Sequence, residues 1–349
     1  MSARRASAFI VLIAVLGLIS CSRQVVETHP EKIKIAGAGA TFPYPLYKNW
    51  IQDYLATHKN VGISYDPVGS GEGVRRFIRQ EVDFGASDNA MSDEEMAGVD
   101  RGVKLIPATA GIIVLGYNLK GLNGVLKLPR DVYVSIFSGE IKKWDDPRIK
   151  SANPALDLPP LAVIPVTRAE SSGTTYAFTN HLSAISKDWR DRGPGVGRAV
   201  QWPVGSMAVR GNEGVAGRVK ITEGSIGYME YGYAQRAGLT MAALENRAGN
   251  FIAPSPAGGR DTLRNTQGDM PQNRRVFFPD PQGDSSYPIV TYSWLLLYGK
   301  YPDQKKALVL KDFIKWGITD GQKYSDELGF CSLPAGIREL DVKDIDEIM

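Results

Sequence analysis

The sequence is poor in cysteine and histidine. Two of its 349 residues are cysteines, Cys21 and Cys331, and three are histidines. Two cysteines cannot build the network of disulfides that holds many small exported domains together. Cys331 lies between apolar neighbours in LGFCSLP, which predicts a small buried core residue rather than a nucleophile. The histidines His29, His58 and His181 follow no ligand-spacing pattern, so neither a metal site nor a histidine base is predicted.

Several short motifs of enzymes and nucleotide-binding proteins are also missing. No serine stands in a GxSxG elbow, and the sequence contains neither a GxxxxGKS/T loop nor a GxGxxG fingerprint. The basic residues are spread along the chain without interleaved aromatic residues, which argues against nucleic acid as a partner. With 43% hydrophobic and 23% charged residues, the composition is that of a folded globular protein. These absences predict a protein without catalytic residues, without a metal and without a cofactor.

The first twenty residues differ from the rest of the chain. Two arginines precede a run of fourteen mostly apolar residues, SAFIVLIAVLGLIS. A membrane-spanning helix needs about 20 apolar residues, so this shorter run predicts a secretory signal peptide over residues 1–20. The run ends in LISC, which resembles the lipobox of bacterial lipoproteins and predicts lipidation of Cys21. Residues 21–32 are then a tether, and we expect an exported protein that is lipid-anchored on the periplasmic or extracellular face of a membrane.

The exported form is expected to carry almost no net charge. Removing residues 1–20 takes away two arginines and no acidic residue, so the formal net charge falls from +3 to +1. A nearly neutral protein has no overall field that would attract nucleic acid or acidic partners. Any recognition of an anion must therefore come from a local arrangement of groups.

Strand-like and helix-like patterns alternate along the chain. Short apolar stretches typical of buried strands lie at residues 33–36, 61–65, 82–86, 105–107, 111–117, 161–166, 225–229 and 289–297. Apolar residues with helical spacing lie between several of them, as at Leu46, Trp50 and Tyr54, and again over residues 304–316. The alternation predicts an α/β fold with mostly parallel sheets. Residues 246–288 are rich in Gly, Pro, Asn and Asp, so we expect an irregular connection there.

Four predicted strands end in small polar residues, at 40–42, 69–71, 87–88 and 168–174. Taken alone, each such turn is more commonly a helix cap than a site. In open α/β sheets, however, ligands bind at the carboxyl ends of strands, where helix N-termini point. In TRAESSGTTYAF (167–178) an arginine shortly precedes Ser, Gly and Thr at a predicted helix start. A guanidinium next to free backbone amides and hydroxyls is typical of an oxyanion site.

Several longer stretches carry more specific patterns. They are GAGATFPYPLY (37–47), VGSGEGV (68–74), DFGASDNAMSDEE (83–95), KKWDDP (142–147), TRAESSGTTYAFT (167–179), QWPVG (201–205), GNEGVAG (211–217) and SIGYMEYGYA (225–234). In this order they resemble the phosphate-binding subunit of the bacterial phosphate ABC transporter. The resemblance implies a two-domain fold of the periplasmic-binding-protein-like type II, with the ligand in a cleft between the domains. The first domain is expected over residues 33–117 plus 292–349, and the second over residues 118–291.

The resemblance also implies a ligand, its contacts and a partner. Inorganic phosphate is the expected ligand, and the membrane permease of the transporter is the expected protein partner. The phosphate-binding residues implied by the matching motifs are Thr41, Phe42 (through its backbone amide), Ser70 and Asp88 in the first domain, and Arg168, Ser172, Gly173 and Thr174 in the second. Glu170 stands where the family commonly has aspartate, and it is expected to orient Arg168.

Two alternatives stay open on the sequence. One is a binding protein for another oxyanion, such as sulfate or molybdate, on the same scaffold. Against it, an ionised Asp88 can only accept hydrogen bonds, which favours a ligand that still carries a proton. The other alternative is a phosphate-ester hydrolase that uses Asp88 or a serine, although the sequence offers it neither metal ligands nor a base.

Overall fold

A computed structural model describes residues 32–266 and 271–349. The predicted signal peptide, Cys21 and the predicted tether up to residue 31 lie outside the described residues. The strands are β1 (Ile33–Gly39), β2 (Val61–Asp66), β3 (Phe84–Ser87), β4 (Val103–Tyr117), β5 (Lys127–Leu128), β6 (Ile164–Arg168), β7 (Met207–Val209), β8 (Ser225–Glu230), β9 (Thr240–Met241), β10 (Ala243–Glu245), β11 (Phe251–Ile252) and β12 (Val290–Tyr298). The helices are α1 (Tyr44–Thr57), α2 (Ser70–Ile78), α3 (Asp93–Ala97), α4 (Arg130–Phe137), α5 (Pro147–Ala152), α6 (Gly173–Ile185), α7 (Lys187–Arg192), α8 (Gly211–Ile221), α9 (Tyr231–Ala237), α10 (Pro256–Thr266), α11 (Gln304–Ile318), α12 (Ser325–Leu328) and α13 (Ala335–Asp346).

The strand β4 connects two halves of the fold. One sheet runs in the order β2-β1-β3-β12-β4-β8-β6-β7, with β9 also paired to β4. Residues 103–112 of β4 pair with β12, and residues 113–117 pair with β8. We call the part built around β1, β2, β3 and β12 the first lobe, and the part built around β6, β7 and β8 the second lobe. The predicted domain boundaries fall at the end of β4 and just inside β12, and they stay predictions.

The predicted α/β architecture is confirmed, but the prediction of mostly parallel sheets is only half right. Within the lobes, β1 runs parallel to β2 and β3, and β6 runs parallel to β7 and β8. By contrast, β12 is antiparallel to β3 and β4, and β4 is antiparallel to β8. Parallel neighbours arise where a helix carries the chain from one strand to the next, as α1 does between β1 and β2. β4 and β12 instead pair with strands that lie far from them in sequence.

β4 is longer than the sequence patterns indicated. Two strands were predicted, at 105–107 and 111–117, whereas the structure has one continuous strand. Residues 108–110, which were left out of both predicted strands, continue the strand, and Gly111 makes room for the ring of Phe42. A Cβ atom at Gly111 would lie 2.9 Å from Phe42 Cζ. The glycine therefore serves close packing of the segment that follows β1 rather than a turn.

The helix α10 corrects the prediction of an irregular connection over residues 246–288. It spans Pro256–Thr266 and contains two glycines, Gly258 and Gly259. Glycine is a poor helix former, which hid the helix in the sequence. A Cβ atom at Gly259 would lie 2.5 Å from Cys331 Sγ, so the helix backbone approaches the core closely there. Cys331 is fully buried, as predicted, and burial raises the pKa of its thiol to about 12.

The apolar faces predicted for the helices pack into the core. Leu46, Trp50 and Tyr54 are buried on one face of α1, whose first turn contains proline. The Trp50 indole nitrogen donates a hydrogen bond of 2.9 Å to the carbonyl oxygen of Gly321, which fixes α1 against the C-terminal helices. Across residues 32–266 and 271–349, none of the helices is both long and apolar enough to cross a membrane.

Candidate functional site

The predicted ligand residues meet where strands of the two lobes end. Thr41 and Phe42 follow β1, and Asp88 follows β3; Ser70 opens α2. In the second lobe β6 ends at Arg168, and α6 begins directly after Ser172. All eight are buried: Thr41, Phe42, Ser70, Asp88, Arg168, Ser172, Gly173 and Thr174. The structure thus brings together in one interior cluster groups that lie up to 133 positions apart in the sequence, from Thr41 to Thr174.

Arg168 is the buried cation of this cluster. Its side chain is 1% exposed. Nη2 donates a hydrogen bond of 3.1 Å to Thr41 Oγ1, which links the second lobe to the first. Nη1 is buried, and within the described part of the chain it has no hydrogen-bond partner. A buried guanidinium nitrogen without a partner is costly in a folded protein unless it serves a ligand.

Glu170 holds Arg168 in place despite the extra methylene that distinguishes it from aspartate. Its Oε1 atom accepts a hydrogen bond of 2.8 Å from Arg168 Nε and a second one from Arg168 Nη2. The same oxygen accepts a hydrogen bond of 3.0 Å from the backbone amide of Gly211 at the start of α8. The arginine is therefore oriented by a carboxylate that is itself fixed to a neighbouring helix, which leaves Nη1 pointing away from the pair.

Asp88 is the buried acid of the cluster. Its Oδ1 accepts a hydrogen bond of 2.8 Å from Ser293 Oγ, and its Oδ2 accepts one of 3.3 Å from Thr174 Oγ1. Burial raises the pKa of Asp88 to about 7, and the Ser293 hydrogen bond, the Arg168 charge and the Thr174 hydrogen bond each oppose that rise. Near neutral pH the carboxyl group is therefore poised between accepting and donating a hydrogen bond.

The N-terminus of α6 lies directly against the first lobe at Gly173. A Cβ atom there would lie 2.6 Å from Ser70 Oγ and 2.8 Å from the backbone nitrogen of Asp88. Only glycine permits this approach. Ser172 caps the helix by accepting a hydrogen bond of 3.1 Å from Thr175 N. The first-turn amides and the positive end of the helix dipole are thus presented at the boundary between the lobes.

Three residues of the cluster were not predicted from the sequence. Ser293 contacts Asp88 from β12. Tyr233 donates a hydrogen bond of 2.6 Å from its hydroxyl to the carbonyl oxygen of Thr41. Asn212, in the motif GNEGVAG, donates to the hydroxyl of Thr41. The serine could have been noticed as a polar residue inside an apolar strand, and Asn212 lies in a motif to which no role had been given.

The opening of the cleft is lined by two ion pairs. Arg198 of the second lobe pairs with Glu95 of α3 in the first lobe, at 2.5 Å. Arg275, from the segment before β12, pairs with Asp93 at 2.8 Å. Ser171 and both arginines border a solvent-open cavity of about 570 Å³. Charged groups of both signs therefore line this cavity, which lies beside the start of α6.

Neither of the described histidines, His58 and His181, takes part in the cluster. His181 is fully buried on α6, where Nε2 shares a hydrogen bond of 2.8 Å with Tyr133 Oη and Nδ1 lies 2.7 Å from the carbonyl oxygen of Pro279. Burial lowers the pKa of His181 to about 4, so it is neutral near physiological pH. Among residues 32–266 and 271–349, no group of three or more His, Cys, Asp or Glu side chains is placed to hold a metal ion.

Comparisons with known sequences agree with the predicted resemblance. The family described as PBP superfamily domain matches residues 25–320. A relative from Pasteurella multocida (strain Pm70), named phosphate-binding protein PstS, is 39% identical over 303 residues, which cover 86% of each chain. A PstS protein from Methanocaldococcus jannaschii is 35% identical over 341 residues, covering 91% of this chain and 87% of the relative.

Comparisons with solved structures agree with the predicted fold. A high-affinity periplasmic phosphate-binding protein, PfluDING, bound with phosphate, matches with a TM-score of 0.71 at 22% identity and covers 88% of this chain and 92% of its own. A phosphate-binding protein from Stenotrophomonas maltophilia matches with a TM-score of 0.72 at 19% identity, covering 89% and 93%. The predicted two-domain, periplasmic-binding-protein-like fold is confirmed.

Proposed function

Because this chain belongs to the PBP superfamily and, within it, to the PstS family of phosphate-binding proteins, we propose that it binds inorganic phosphate for uptake by an ABC transporter. The observation that carries the proposal is Arg168, a buried cation whose Nη1 has no partner within the described part of the chain. Arg168 and the N-terminus of α6 offer positive charge and donors, whereas Asp88 offers an acceptor. This combination suits an anion that still carries a proton.

The proposed ligand set is that of the sequence prediction. It comprises Thr41, Phe42, Ser70, Asp88, Arg168, Ser172, Gly173 and Thr174. Two of these hydroxyls already accept a hydrogen bond from a backbone amide: Ser70 Oγ from Asp88 N at 3.2 Å, and Ser172 Oγ from Thr175 N. Their own hydrogens therefore remain available to an oxyanion. Glu170 supports the site by holding Arg168 and by offsetting part of its charge.

A binding role is favoured over hydrolysis of phosphate esters. The described residues of the cluster include no histidine and no group of metal ligands, and both oxygens of Asp88 already accept hydrogen bonds, from Ser293 and Thr174. We therefore expect Asp88 to hold the ligand rather than to act as an acid or a base on it. Incubation of the protein with a chromogenic phosphate ester should release no chromophore above background. Steady release that is abolished by Asp88→Asn would overturn the binding-only proposal.

Delivery to a membrane permease requires that the protein stays near the membrane. We propose that Cys21 is lipidated after removal of residues 1–20, with residues 21–32 as the tether, so that the binding domains lie outside the cytoplasm. Cys21→Ala should then move the protein from the detergent phase to the aqueous phase on phase partitioning. Equal partitioning of the wild type and the variant into the aqueous phase would contradict the anchor.

Calorimetry of the protein without residues 1–20 tests the ligand directly. Phosphate should bind with a measurable heat. At pH 8.5, above the pKa of about 7 of Asp88, sulfate and molybdate should bind at least about 100-fold more weakly, because a fully deprotonated anion leaves the ionised Asp88 unpaired. Arg168→Ala should weaken the binding of every oxyanion. Tighter binding of sulfate or molybdate than of phosphate would contradict the proposed ligand and favour the alternative oxyanion carrier.

A further inference from the structure

We propose that Asn212 is a positioning residue that forces the hydroxyl hydrogen of Thr41 toward the bound oxyanion. Asn212 is the second residue of α8 and is fully buried. Its side chain reaches across the cleft between the lobes, since Nδ2 donates a hydrogen bond of 3.0 Å to Thr41 Oγ1. The residue belongs to a motif that the ligand set leaves without a function.

The orientation of the Asn212 amide is set by its other contact. The Oδ1 atom accepts a hydrogen bond of 3.0 Å from the backbone nitrogen of Glu230, at the end of β8. A backbone amide can only donate, so the oxygen of Asn212 must face Glu230 and the NH₂ group must face Thr41. The contact with Thr41 is therefore fixed as one in which the hydroxyl accepts.

The hydroxyl of Thr41 accepts from more donors than it has lone pairs. Arg168 Nη2 donates to Oγ1 at 3.1 Å, Asn212 Nδ2 at 3.0 Å and the backbone nitrogen of Asn212 at 3.3 Å. A hydroxyl has two lone pairs and one hydrogen. With its acceptor capacity used by Arg168 and Asn212, Thr41 is left only as a donor. Because donors occupy both lone pairs of Thr41 Oγ1, only the hydroxyl hydrogen can face the ligand. Thr41 therefore favours a ligand that accepts a hydrogen bond, such as an anion.

The inference rests on the proposed function, because it assigns Thr41 as a ligand of the bound phosphate. Asn212 also lies 3.4 Å from Thr174 Oγ1, through Nδ2. That contact is longer than the one to Thr41, and Thr174 can accept it while its own hydrogen donates to Asp88. An effect of Asn212 through Thr174 would not depend on the residue at position 41, so variants of Thr41 separate the two routes.

A double-mutant cycle tests this role. Asn212→Asp keeps the shape and the acceptor for Glu230 but replaces the donor that faces Thr41 by a second acceptor, which captures the hydroxyl hydrogen. Phosphate affinity should fall at least about 100-fold in the wild-type background. Part of that loss comes from the added negative charge, and this part should also be seen when Asn212→Asp is introduced into Thr41→Val. The part that depends on the Thr41 hydroxyl should be absent there. The fold-loss in phosphate affinity caused by Asn212→Asp should therefore be at least about tenfold smaller with valine at position 41 than with threonine.

Further variants separate this role from a general loss of structure. Thr41→Ser retains the hydroxyl, so Asn212→Asp should have its full effect in that background. Asn212→Ala repeats the cycle without adding a charge. It should cause a smaller loss of phosphate affinity, and this loss should also be absent in Thr41→Val. If Asn212→Asp does not fold, the result with Asn212→Ala decides the question. Asn118→Asp is the matched control. Asn118 Nδ2 donates to the carbonyl oxygens of Val219 and Lys220 at the other end of α8. This control should leave phosphate affinity within about twofold of the wild type.

The outcomes for the two proposals are distinguishable. If the wild type binds phosphate and the Asn212 variants lose the same factor with threonine and with valine at position 41, Asn212 does not act through Thr41 and the inference is wrong. If the wild type does not bind phosphate at all, the proposed function fails and the inference falls with it. A loss that depends on the hydroxyl at position 41 supports both.

Discussion

Among single residues, Asp88 is the one that we propose as the selector of the anion. A carboxylate that points at an anion is repelled by it unless a proton lies between them. Burial raises the pKa of Asp88 to about 7, although the hydrogen bond from Ser293, the charge of Arg168 and the hydrogen bond from Thr174 each lower it. The protonated form of Asp88 can donate to an anion without a proton, and the ionised form can only accept. The selectivity of the site is therefore tied to the charge state of this one side chain.

We predict that discrimination between phosphate and sulfate increases with pH. Phosphate carries at least one proton across the range from pH 5.5 to 8.5, whereas sulfate carries none. Below a pKa of about 7, a protonated Asp88 can donate to sulfate; above it, sulfate meets an acceptor without a hydrogen. The phosphate-to-sulfate affinity ratio, measured by calorimetry, should rise at least about tenfold over this range.

Asp88→Asn is the control for this prediction, because an amide donates and accepts at every pH. Its affinity ratio should be low and should not rise across the range. Stability provides a second readout. The raised pKa means that the folded protein holds a proton on Asp88 between about pH 4 and pH 7 where the unfolded chain has lost it, so this residue's contribution to stability falls as pH rises through that window. The ligand-free melting temperature of the wild type, minus that of Asp88→Asn at the same pH, should therefore fall as the pH rises from about 4 to about 7. A pH-independent affinity ratio in the wild type would show that Asp88 is not the selector.

The sequence identified the charged members of the cluster and four of its hydroxyl groups, but not Ser293, Asn212 or Tyr233. Arg168 and Glu170 stand in one short motif, and a charge next to small residues at a strand end is a strong local signal. Ser293 lies 205 residues from Asp88, and Asn212 lies 171 residues from Thr41. Such contacts depend on how the two lobes face each other. No local pattern of period or spacing carries that information.

Among the secondary-structure elements, the two helices α2 and α6 form the centre of the site. The backbone amide of Gly71 in α2 donates a hydrogen bond of 3.0 Å to the carbonyl oxygen of Ser171, just before α6. The helix starts of the two lobes are therefore in direct contact. The sequence predicted the strands before both helices, and it predicted the start of α6 from the Ser, Gly and Thr residues that follow β6. It missed α10, whose glycines reflect close packing, and it divided β4 at residues 108–110.

We predict that Gly173→Ala prevents the two helix starts from meeting. The new Cβ atom would lie within 2.8 Å of Ser70 Oγ and of both Cβ and N of Asp88, and a backbone atom cannot move aside as a flexible side chain does. Separation of the lobes relieves the clash, so the ligand-free melting temperature should change little. Phosphate affinity measured by calorimetry should fall at least about 100-fold, because the bound state needs contacts from both lobes.

Gly217→Ala provides the matched control in the second lobe. Gly217 lies in α8, and a Cβ atom there would meet no atom within 4 Å. Alanine at an exposed helical position should stabilise the protein by about 0.5–1 kcal/mol and leave phosphate affinity unchanged. If Gly173→Ala binds phosphate as tightly as Gly217→Ala does, α6 and α2 do not need to meet for binding.

At the scale of the whole molecule, charged residues at the cleft opening join the two lobes. Arg198 and Glu95 are 103 residues apart in sequence and belong to different lobes. Both side chains are partly exposed, at 18% and 25%. The backbone oxygen of Arg198 also accepts a hydrogen bond of 2.7 Å from Ser172 N, which ties the opening to the start of α6. The sequence could not predict this pairing, because the position of a surface charge in the sequence does not indicate which opposite charge it will contact in the fold.

The final prediction is that the Arg198–Glu95 pair favours the closed arrangement of the lobes. A ligand that contacts both lobes shifts the protein toward closure, and an ion pair between the lobes shifts it in the same direction. In Arg198→Ala the ligand-free radius of gyration from small-angle scattering should therefore increase, whereas the radius at saturating phosphate should equal that of the wild type. Phosphate affinity should fall by about threefold to tenfold, since partly exposed ion pairs contribute modestly.

Arg192→Ala is the control for this change, because Arg192 pairs with Asp188 within one helix and both side chains are mostly exposed, at 75% and 69%. It should alter neither radius nor affinity. Salt provides an independent check. Screening should weaken phosphate binding to the wild type and to Arg192→Ala more than to Arg198→Ala, because only the latter has already lost the pair between the lobes. Equal ligand-free radii and equal affinities in Arg198→Ala and Arg192→Ala would mean that the cleft closes through its ligand contacts alone.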